Sequence, residues 1–319
     1  MRIISREDLD RLLTFPQLIG ALHDAFTAGG AGPARHHHSI GDGERAATHL
    51  LMPAWTSDAP GPGSFLGTKV VNVFPGNRAK NLPSVLGAYL LQSGETGAPL
   101  AVMDGTRLTH WRTAAASALA ARFLARDDAR RLTMIGAGAL APFLVRAHAS
   151  VRPIDHVTVW NHRLAGAEAL VREIERGGIE AVVAQDLEAA VAEADIVSCA
   201  TLSSEPIVRG AWLNPGVHLD LVGAFSMAMR ETDGAAVARA RVYVDTQAAL
   251  EDGGDVALAL REGCIARSDV VGDLHALCRG VSVGRREAGE ITLFKSVGTA
   301  IEDLAAAVLV WRLLHAVTP

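Results

Sequence analysis

The order of apolar and polar positions divides the chain into two parts. In the first part, Ser5 followed by Asp8 predicts a helix start, and apolar residues at helical spacing from Leu18 to Phe26 predict a second helix that begins near Thr14. Short apolar segments bounded by turn residues then predict strands over 48–52, 65–74, 85–92 and 100–103. This pattern is typical of a mostly antiparallel α+β domain.

From residue 113 onward, helices and strands alternate. The predicted strands are 132–135, 157–160, 181–183, 196–200, 218–222 and 241–244, and the predicted helices are 113–126, 142–150, 165–176 and 187–193. Short apolar strands in alternation with helices predict an α/β fold with a doubly wound parallel sheet of the Rossmann type. A last helix, 300–315, is predicted to rejoin the first domain. The predicted domains are therefore 1–112 plus 290–319, and 113–289.

Composition narrows the class of protein. The chain has 319 residues, 49% hydrophobic and 20% charged, with a net charge of −5. These values exclude a mainly disordered chain, and they give no broad basic field for nucleic acid or anionic lipid. The start of the chain lacks the apolar stretch of a signal peptide, no run of 18 apolar residues occurs, and the three cysteines are not spaced as a disulfide framework. We therefore expect a cytoplasmic protein with small-molecule partners and no membrane span.

A glycine pattern follows the first strand of the second domain. Gly136, Gly138 and Ala141 have the spacing G-x-G-x-x-A between a strand and a helix. The first glycine permits a tight turn, the second lets the backbone approach a pyrophosphate, and the small third residue lets helix and strand pack closely. The motif predicts a dinucleotide site, whereas a glycine turn without a ligand is the structural alternative.

The end of the next strand bears on the choice of dinucleotide. Asn161, His162 and Arg163 stand where an acidic residue would accept a hydrogen bond from the ribose 2′-hydroxyl of NAD. A neutral side chain followed by a guanidinium favours the 2′-phosphate of NADP(H), with NAD(H) possible. Alternatively, Arg163 only solvates the start of the next helix.

Three cations are candidates for binding a carboxylate. Thr109 is predicted to cap the alanine-rich helix, which puts Arg112 in its first turn, where an anion could lie between the guanidinium and the free amides. Lys69 interrupts the apolar strand FLGTKVVNVF, where an anion or a lowered pKa would explain it. Arg35 lies in a loop and could be a second carboxylate ligand. A surface arginine and a lysine that protects an edge strand are the alternatives for Arg112 and Lys69.

Neither the histidines nor the cysteines predict a metal site. His36, His37 and His38 are consecutive, so on an extended segment they point in opposite directions, and no matching cluster of ligands is evident. Cys199 follows an apolar strand and is interpreted as part of the packed core.

Together these segments resemble the ornithine cyclodeaminase and mu-crystallin family over nearly the whole chain. The resemblance is carried by LLMPAW, LGTKVVNVFPGN, TGAPLAVMDGTRLTHWRTAAASALAARFLAR, MIGAGALA, VTVWNHR, EADIVSCAT and GEITLFKSVGTAIEDLAAA. It implies a Rossmann domain joined to a discontinuous α+β domain that binds substrate and pairs in a homodimer.

The resemblance also implies roles for individual residues. Arg35, Lys69, Ser84 and Arg112 are expected to surround the substrate carboxylate, with Lys69 and Arg112 as catalytic residues. Thr201, Val222, Ser296 and Val297 are expected near the nicotinamide.

One departure from the family pattern affects the predicted reaction. Cyclodeaminases and the related archaeal alanine dehydrogenases are expected to carry an aspartate where this chain has Phe225. Phenylalanine cannot handle amine protons. The leading hypothesis is therefore an NAD(P)H-dependent reductase of a cyclic imino acid, pyrroline-2-carboxylate or piperideine-2-carboxylate, that forms proline or pipecolate. The alternatives are an NAD-dependent ornithine cyclodeaminase, an amino-acid dehydrogenase forming a linear amine, and a noncatalytic protein that binds NADPH or a small ligand.

Overall fold

The fold is described from a computed structural model, which covers residues 1–42, 46–56, 59–80 and 82–316. The chain forms two compact units: unit 1 is Met1–Arg112 with Thr299–Pro319, and unit 2 is Thr113–Gly298. The second domain was predicted to end at residue 289, whereas unit 2 ends at Gly298. The boundary lies later because residues 292–295 form an interior strand of the sheet in unit 2.

Unit 1 is a six-stranded mixed sheet with helices. Its strands are β1 (Arg2–Ile4), β2 (His36–Ile40), β3 (Ala47–Trp55), β4 (Phe65–Val73), β5 (Val85–Ser93) and β6 (Pro99–Asp104), and its helices are α1 (Arg6–Leu12), α2 (Phe15–Ala28), the start of α3 (Gly105–Leu124) and α10 (Ala300–Ala316). The strand order is β1-β6-β5-β4-β3-β2, antiparallel except for the parallel pair β1 and β6. Helix α10 contacts β3, β4, β5 and α2.

Local sequence explains where the first two helices begin and end. Ser5 and Asp8 form a capping box at the start of α1, as the sequence predicts. Thr14 precedes α2, and Gly29 ends that helix in the left-handed conformation with φ of +79°. Leu13 and Thr14, both extended, connect the two helices.

Unit 2 is an eight-stranded parallel sheet. Its strands are β7 (Arg131–Ile135), β8 (His156–Trp160), β9 (Glu180–Val183), β10 (Ile196–Cys199), β11 (His218–Leu221), β12 (Arg241–Val244), β13 (Val270–Asp273) and β14 (Thr292–Lys295). The helices are the rest of α3, α4 (Ala141–Ala149), α5 (Leu164–Arg176), α6 (Leu187–Ala192), α7 (Gly234–Arg239), α8 (Gly254–Arg261) and α9 (Leu274–Cys278). The order is β13-β12-β14-β11-β10-β7-β8-β9, which confirms the predicted α/β fold class.

The sheet of unit 2 is buried through its middle. Every residue of β10, β11 and β14 is buried, and the core includes Val197, Leu219 and Leu293. Parallel strands that are covered on both faces are rich in apolar residues, and this pattern predicted β10 and β11 from the sequence, but not β14.

None of the helices in the described part of the chain is both long and apolar enough to cross a lipid bilayer.

Candidate active site

A buried lysine in unit 1 is paired with a buried aspartate. Lys69 lies in the middle of β4 with 1% of its surface exposed, and its ammonium group is 2.8 Å from Oδ1 and 2.6 Å from Oδ2 of Asp303. Asp303 is in the first turn of α10, where an acidic side chain also interacts favourably with the helix dipole. The structure thus favours the interpretation of Lys69 as a buried charge that meets an anion.

Arg112 joins the same cluster from α3. Its Nη1 donates to Glu302 Oε2 at 2.6 Å and its Nε donates to Asp303 Oδ1 at 2.9 Å, and all three side chains are buried. Glu302 and Asp303 were not among the site residues predicted from the sequence. We call the four side chains Lys69, Arg112, Glu302 and Asp303 the buried ion cluster.

The predicted start of α3 was wrong. The helix begins at Gly105, and the Asp104 carboxylate accepts a hydrogen bond from the Arg107 amide at 2.8 Å, so Asp104 takes the place given to Thr109. Thr109 lies inside the helix and donates to the Gly105 carbonyl. Arg112 is therefore about two turns inside α3 and not beside free helix amides. Its partners are carboxylates of the protein.

Burial and charge determine the protonation of Lys69. Burial and the nearby Arg112 lower the pKa of Lys69 to about 8, although Asp303 and Glu302 oppose the shift. An ammonium group with this pKa is mostly protonated at neutral pH and gives up its proton more readily than an exposed lysine. Lys69 is therefore suited to deliver a proton.

Tyr89 is the cross-strand neighbour of Lys69 in the sheet. It is paired with Lys69 between β4 and β5, and burial together with Asp303 raises the pKa of its phenol well above the usual value. A side chain at Gly67 would place its Cβ 1.9 Å from the Tyr89 hydroxyl, so the phenol occupies the space that only glycine leaves open.

Arg35 and Ser84 are at the beginnings of strands in unit 1. Arg35 directly precedes β2 and is partly exposed, and the carbonyl oxygen of Ser84, just before β5, accepts a hydrogen bond from the Phe74 amide at 2.8 Å. Their joint action on a substrate carboxylate stays a prediction.

The glycine loop of unit 2 has the backbone that a pyrophosphate requires. Gly136 follows β7 with φ of +99°, and a Cβ there would lie 2.7 Å from the Ala200 carbonyl oxygen. At Gly138 a Cβ would meet open space, so a ligand can approach this backbone. Ala141 is buried at the start of α4. The residues present fit a dinucleotide.

Asn161 supports this loop from the end of β8. Its Oδ1 accepts a hydrogen bond from the Ala137 amide at 3.3 Å, and its Nδ2 donates to the Arg163 carbonyl at 2.8 Å. The side chains of His162 and Arg163 are exposed. Asn161 therefore shapes the loop, and the exposed cation next to it is Arg163.

The four residues expected near the nicotinamide follow three adjacent strands. Thr201 lies just after β10, Val222 just after β11, and Ser296 and Val297 just after β14. The Ser296 hydroxyl donates to Asp245 at 2.9 Å and is buried, so its polar group is already engaged by the protein. The carboxyl ends of the strands in an open parallel sheet are where ligands bind, and all four residues lie there.

The histidines and the cysteine that were considered as metal ligands belong to different units of the chain. Strand β2, with His36, His37 and His38, is exposed at the edge of its sheet, and Cys199 is buried. In the ranges that the structure covers, no group of three or more histidine, cysteine, aspartate or glutamate residues could hold a metal ion.

Comparison with known proteins identifies the family. The model of the ornithine cyclodeaminase/mu-crystallin family matches residues 2–316. The chain belongs to this family. The resemblance found in the sequence is thereby confirmed.

Three relatives show what members of this family do. The chain is 39% identical to the Δ1-pyrroline-2-carboxylate reductase of Paracoccus denitrificans, over 98% of this chain and 97% of that protein. The structure of the same type of enzyme from Thermococcus litoralis, in complex with NADH and L-proline, has a TM-score of 0.92 and 34% identity, covering 99% of this chain and 98% of that one. An archaeal alanine dehydrogenase dimer with bound NAD has a TM-score of 0.90 and 32% identity, covering 99% and 96%. These relatives confirm the prediction of a nicotinamide-dependent enzyme.

Proposed function

We propose that the protein is an NAD(P)H-dependent reductase of a cyclic imino acid, pyrroline-2-carboxylate or piperideine-2-carboxylate, with proline or pipecolate as the product. The observation that carries the proposal is the charge balance of the buried ion cluster, in which two cations face two carboxylates. A simple carboxylate would make this cluster net negative. A ligand that has both a carboxylate and a protonated nitrogen keeps it neutral, and an imino acid is such a ligand.

The chain's own side chains can carry out the polar part of this reaction. Arg112 holds the substrate carboxylate with Arg35, and Lys69 donates a proton to the ring nitrogen after hydride addition has converted the protonated imine into the neutral amine. The hydride for the imine carbon would come from a nicotinamide bound to unit 2. Asp303, 2.6 Å from the Lys69 ammonium, fixes the position of the proton donor.

Phe225 favours reduction over cyclodeamination. It lies in the loop after β11, with 36% of its surface exposed, where an aspartate is expected in cyclodeaminases. Ornithine has a second amino group that such a carboxylate would orient, and a phenyl ring offers it no acceptor. A cyclic imine has no distal amine, so it needs no such partner.

NADPH is the proposed reductant. No carboxylate stands at the end of β8 to repel a 2′-phosphate, since Asn161 is held by the glycine loop and Arg163 is exposed. NADH is the alternative reductant. The reductase of Thermococcus litoralis is in complex with NADH, and the archaeal alanine dehydrogenase dimer has bound NAD.

A substrate panel tests this function. Purified protein is expected to oxidise NADPH, faster than NADH, with pyrroline-2-carboxylate or piperideine-2-carboxylate, and to act weakly on pyruvate with ammonia. The measurement is NAD(P)H absorbance, beside an assay of ammonia release from ornithine. Ammonia release without imine reduction would make the protein a cyclodeaminase, and tight NADPH binding without any turnover would make it a binding protein.

The outer face of the sheet in unit 1 supports a homodimer. The face opposite Lys69 has a row of apolar residues across β3, β4 and β5, namely Leu51, Val70 and Ala88. Leu86 of β5 lies on the same face and is 45% exposed. Apolar residues that are exposed next to one another are typical of interaction sites. We propose that two copies pair through this face.

A charge on this face is expected to prevent pairing. Val70→Glu would bury a carboxylate without a partner in the dimer, at a cost that a moderate interface does not offset. Light scattering should give twice the 33.5 kDa chain mass for the natural protein and the single mass for the variant. Asp24→Lys, at an exposed position of α2, is the control that should stay dimeric. A natural protein at the single mass would contradict the proposal.

A further inference from the structure

A completely buried glutamate joins two loops at the carboxyl edge of the sheet in unit 2. Glu231 lies between β11 and α7 with 0% of its surface exposed. Its Oε1 accepts hydrogen bonds from the amide and hydroxyl of Thr201, at 2.7 and 2.9 Å. Its Oε2 accepts from the amides of Gly223 and Ala224, at 2.8 and 3.2 Å. Each carboxylate oxygen therefore serves one loop.

The two loops follow adjacent strands and touch one another. The Thr201 loop follows β10, and the Gly223 loop follows β11. A Cβ at Gly223 would lie 2.1 Å from the Thr201 carbonyl oxygen and 2.4 Å from Glu231 Oε1, so glycine is required for this approach. Thr201 and Val222 were expected beside the nicotinamide. The carboxylate thus sets the distance between the segments that would receive the ring.

A second buried acid fixes Glu231 itself. Asp255 lies at the start of α8, and its Oδ1 accepts hydrogen bonds from the backbone amides of Glu231 and Thr232, at 2.7 and 2.8 Å. Its Oδ2 accepts from the Lys295 ammonium at 3.0 Å, and Lys295 ends β14. The position of the Glu231 backbone is therefore tied to the next strand of the sheet.

We propose that Glu231 is a positioning residue, whose carboxylate holds the loops after β10 and β11 in the arrangement that receives the nicotinamide ring. The inference rests on the proposed function only in that a nicotinamide cofactor binds to unit 2. A carboxylate is needed because both oxygens face two donors each. Glutamine would turn its NH2 toward one pair of donors, and aspartate is too short to reach both loops.

The charged groups around Glu231 give this arrangement a pH dependence. Burial and Asp255 on α8 raise the pKa of Glu231 to about 7, while Lys295 on β14 opposes the shift. The Cys199 thiol faces it from β10, and the neighbouring Arg230 is paired outward with Glu262. Protonation below this pH places a hydrogen on an oxygen that must accept, so one loop loses its acceptor. Binding of the ring should therefore weaken as the solution becomes more acidic than about pH 7.

The test compares two ligands that differ only in the nicotinamide. NADPH and ADP-ribose 2′-phosphate share the adenosine and the pyrophosphate, so both use the glycine loop. Glu231→Gln is expected to raise the dissociation constant of NADPH about tenfold and to leave that of ADP-ribose 2′-phosphate unchanged. NADPH binding should weaken more than ADP-ribose 2′-phosphate binding between about pH 8 and about pH 6, and this difference should disappear in the variant, since both ligands carry the same titrating 2′-phosphate. Titration calorimetry measures both ligands.

Matched variants separate positioning from general damage. Glu262→Gln removes a neighbouring exposed carboxylate and should change neither constant. Thr201→Val keeps the backbone donor but loses the hydroxyl donor, so it should weaken NADPH alone and to a smaller degree. Equal loss of both ligands, or loss of neither, in Glu231→Gln would overturn the inference. Because no imine is present, a chain that reduces no imine can still show the difference between the two ligands.

Discussion

Arg112→Met is expected to destabilise the protein by about 3–5 kcal/mol and to remove most of the imine reduction. The change leaves the buried carboxylates of Glu302 and Asp303 with one cation, Lys69, in place of two. A buried charge that loses its partner is far more costly than a lost surface pair. Urea unfolding measures the free energy, and the KM for the imine measures the loss of carboxylate binding.

A charge-balanced double variant separates the two effects. Arg112→Met combined with Glu302→Gln removes one charge of each sign, so most of the lost stability should return. The KM should stay high, because the guanidinium that binds the substrate carboxylate is still missing. If activity returned together with stability, Arg112 would be a structural residue and the proposed substrate site would be wrong.

The fold could be predicted because its signals are local. The capping box at Ser5 and the short apolar strands with helices between them identified α1 and most of unit 2. Strand β14 (Thr292–Lys295) was missed because it lies between a loop and α10, and its place beside β11 depends on distant residues. The start of α3 was misplaced because Thr109 is a good cap by type, whereas Asp104 makes the hydrogen bond.

The site could be predicted only in part, because its ion pairs join residues far apart in the chain. Lys69 and Arg112 were visible as charges in apolar or alanine-rich segments, and such charges need partners. The partners had a similar signal, since Glu302 and Asp303 are adjacent acids that are followed by a run of apolar residues in the same helix. Pairing the four by charge would have found the buried ion cluster. Likewise, Glu231 could not be recognised from the sequence as a positioning residue, because the four groups that donate hydrogen bonds to its carboxylate come together only when the loops after β10 and β11 fold.

Lys69→Met is expected to lower kcat for imine reduction by about 100-fold or more, because the proton donor is lost. Arg112 still faces Asp303, so the fold should lose less stability than with Arg112→Met. NADPH binding should be unchanged, since the glycine loop belongs to unit 2. Lys80→Met, at an exposed lysine, is the matched control and should keep full activity.

The pH profile decides whether Lys69 acts as the acid. Its pKa of about 8 means that the ammonium form dominates below that pH. As the pH rises through about 8, kcat/KM of the natural protein should fall about tenfold per pH unit, since only the protonated form donates. Asp303→Asn removes the charge that favours the ammonium form, which lowers the pKa and should move this fall to lower pH. An alkaline limb that stayed in place in Asp303→Asn, or that persisted in Lys69→Met, would assign the proton to another group. A limb that moves with Asp303 and is absent in Lys69→Met identifies Lys69 as the donor and Asp303 as the residue that sets its acidity.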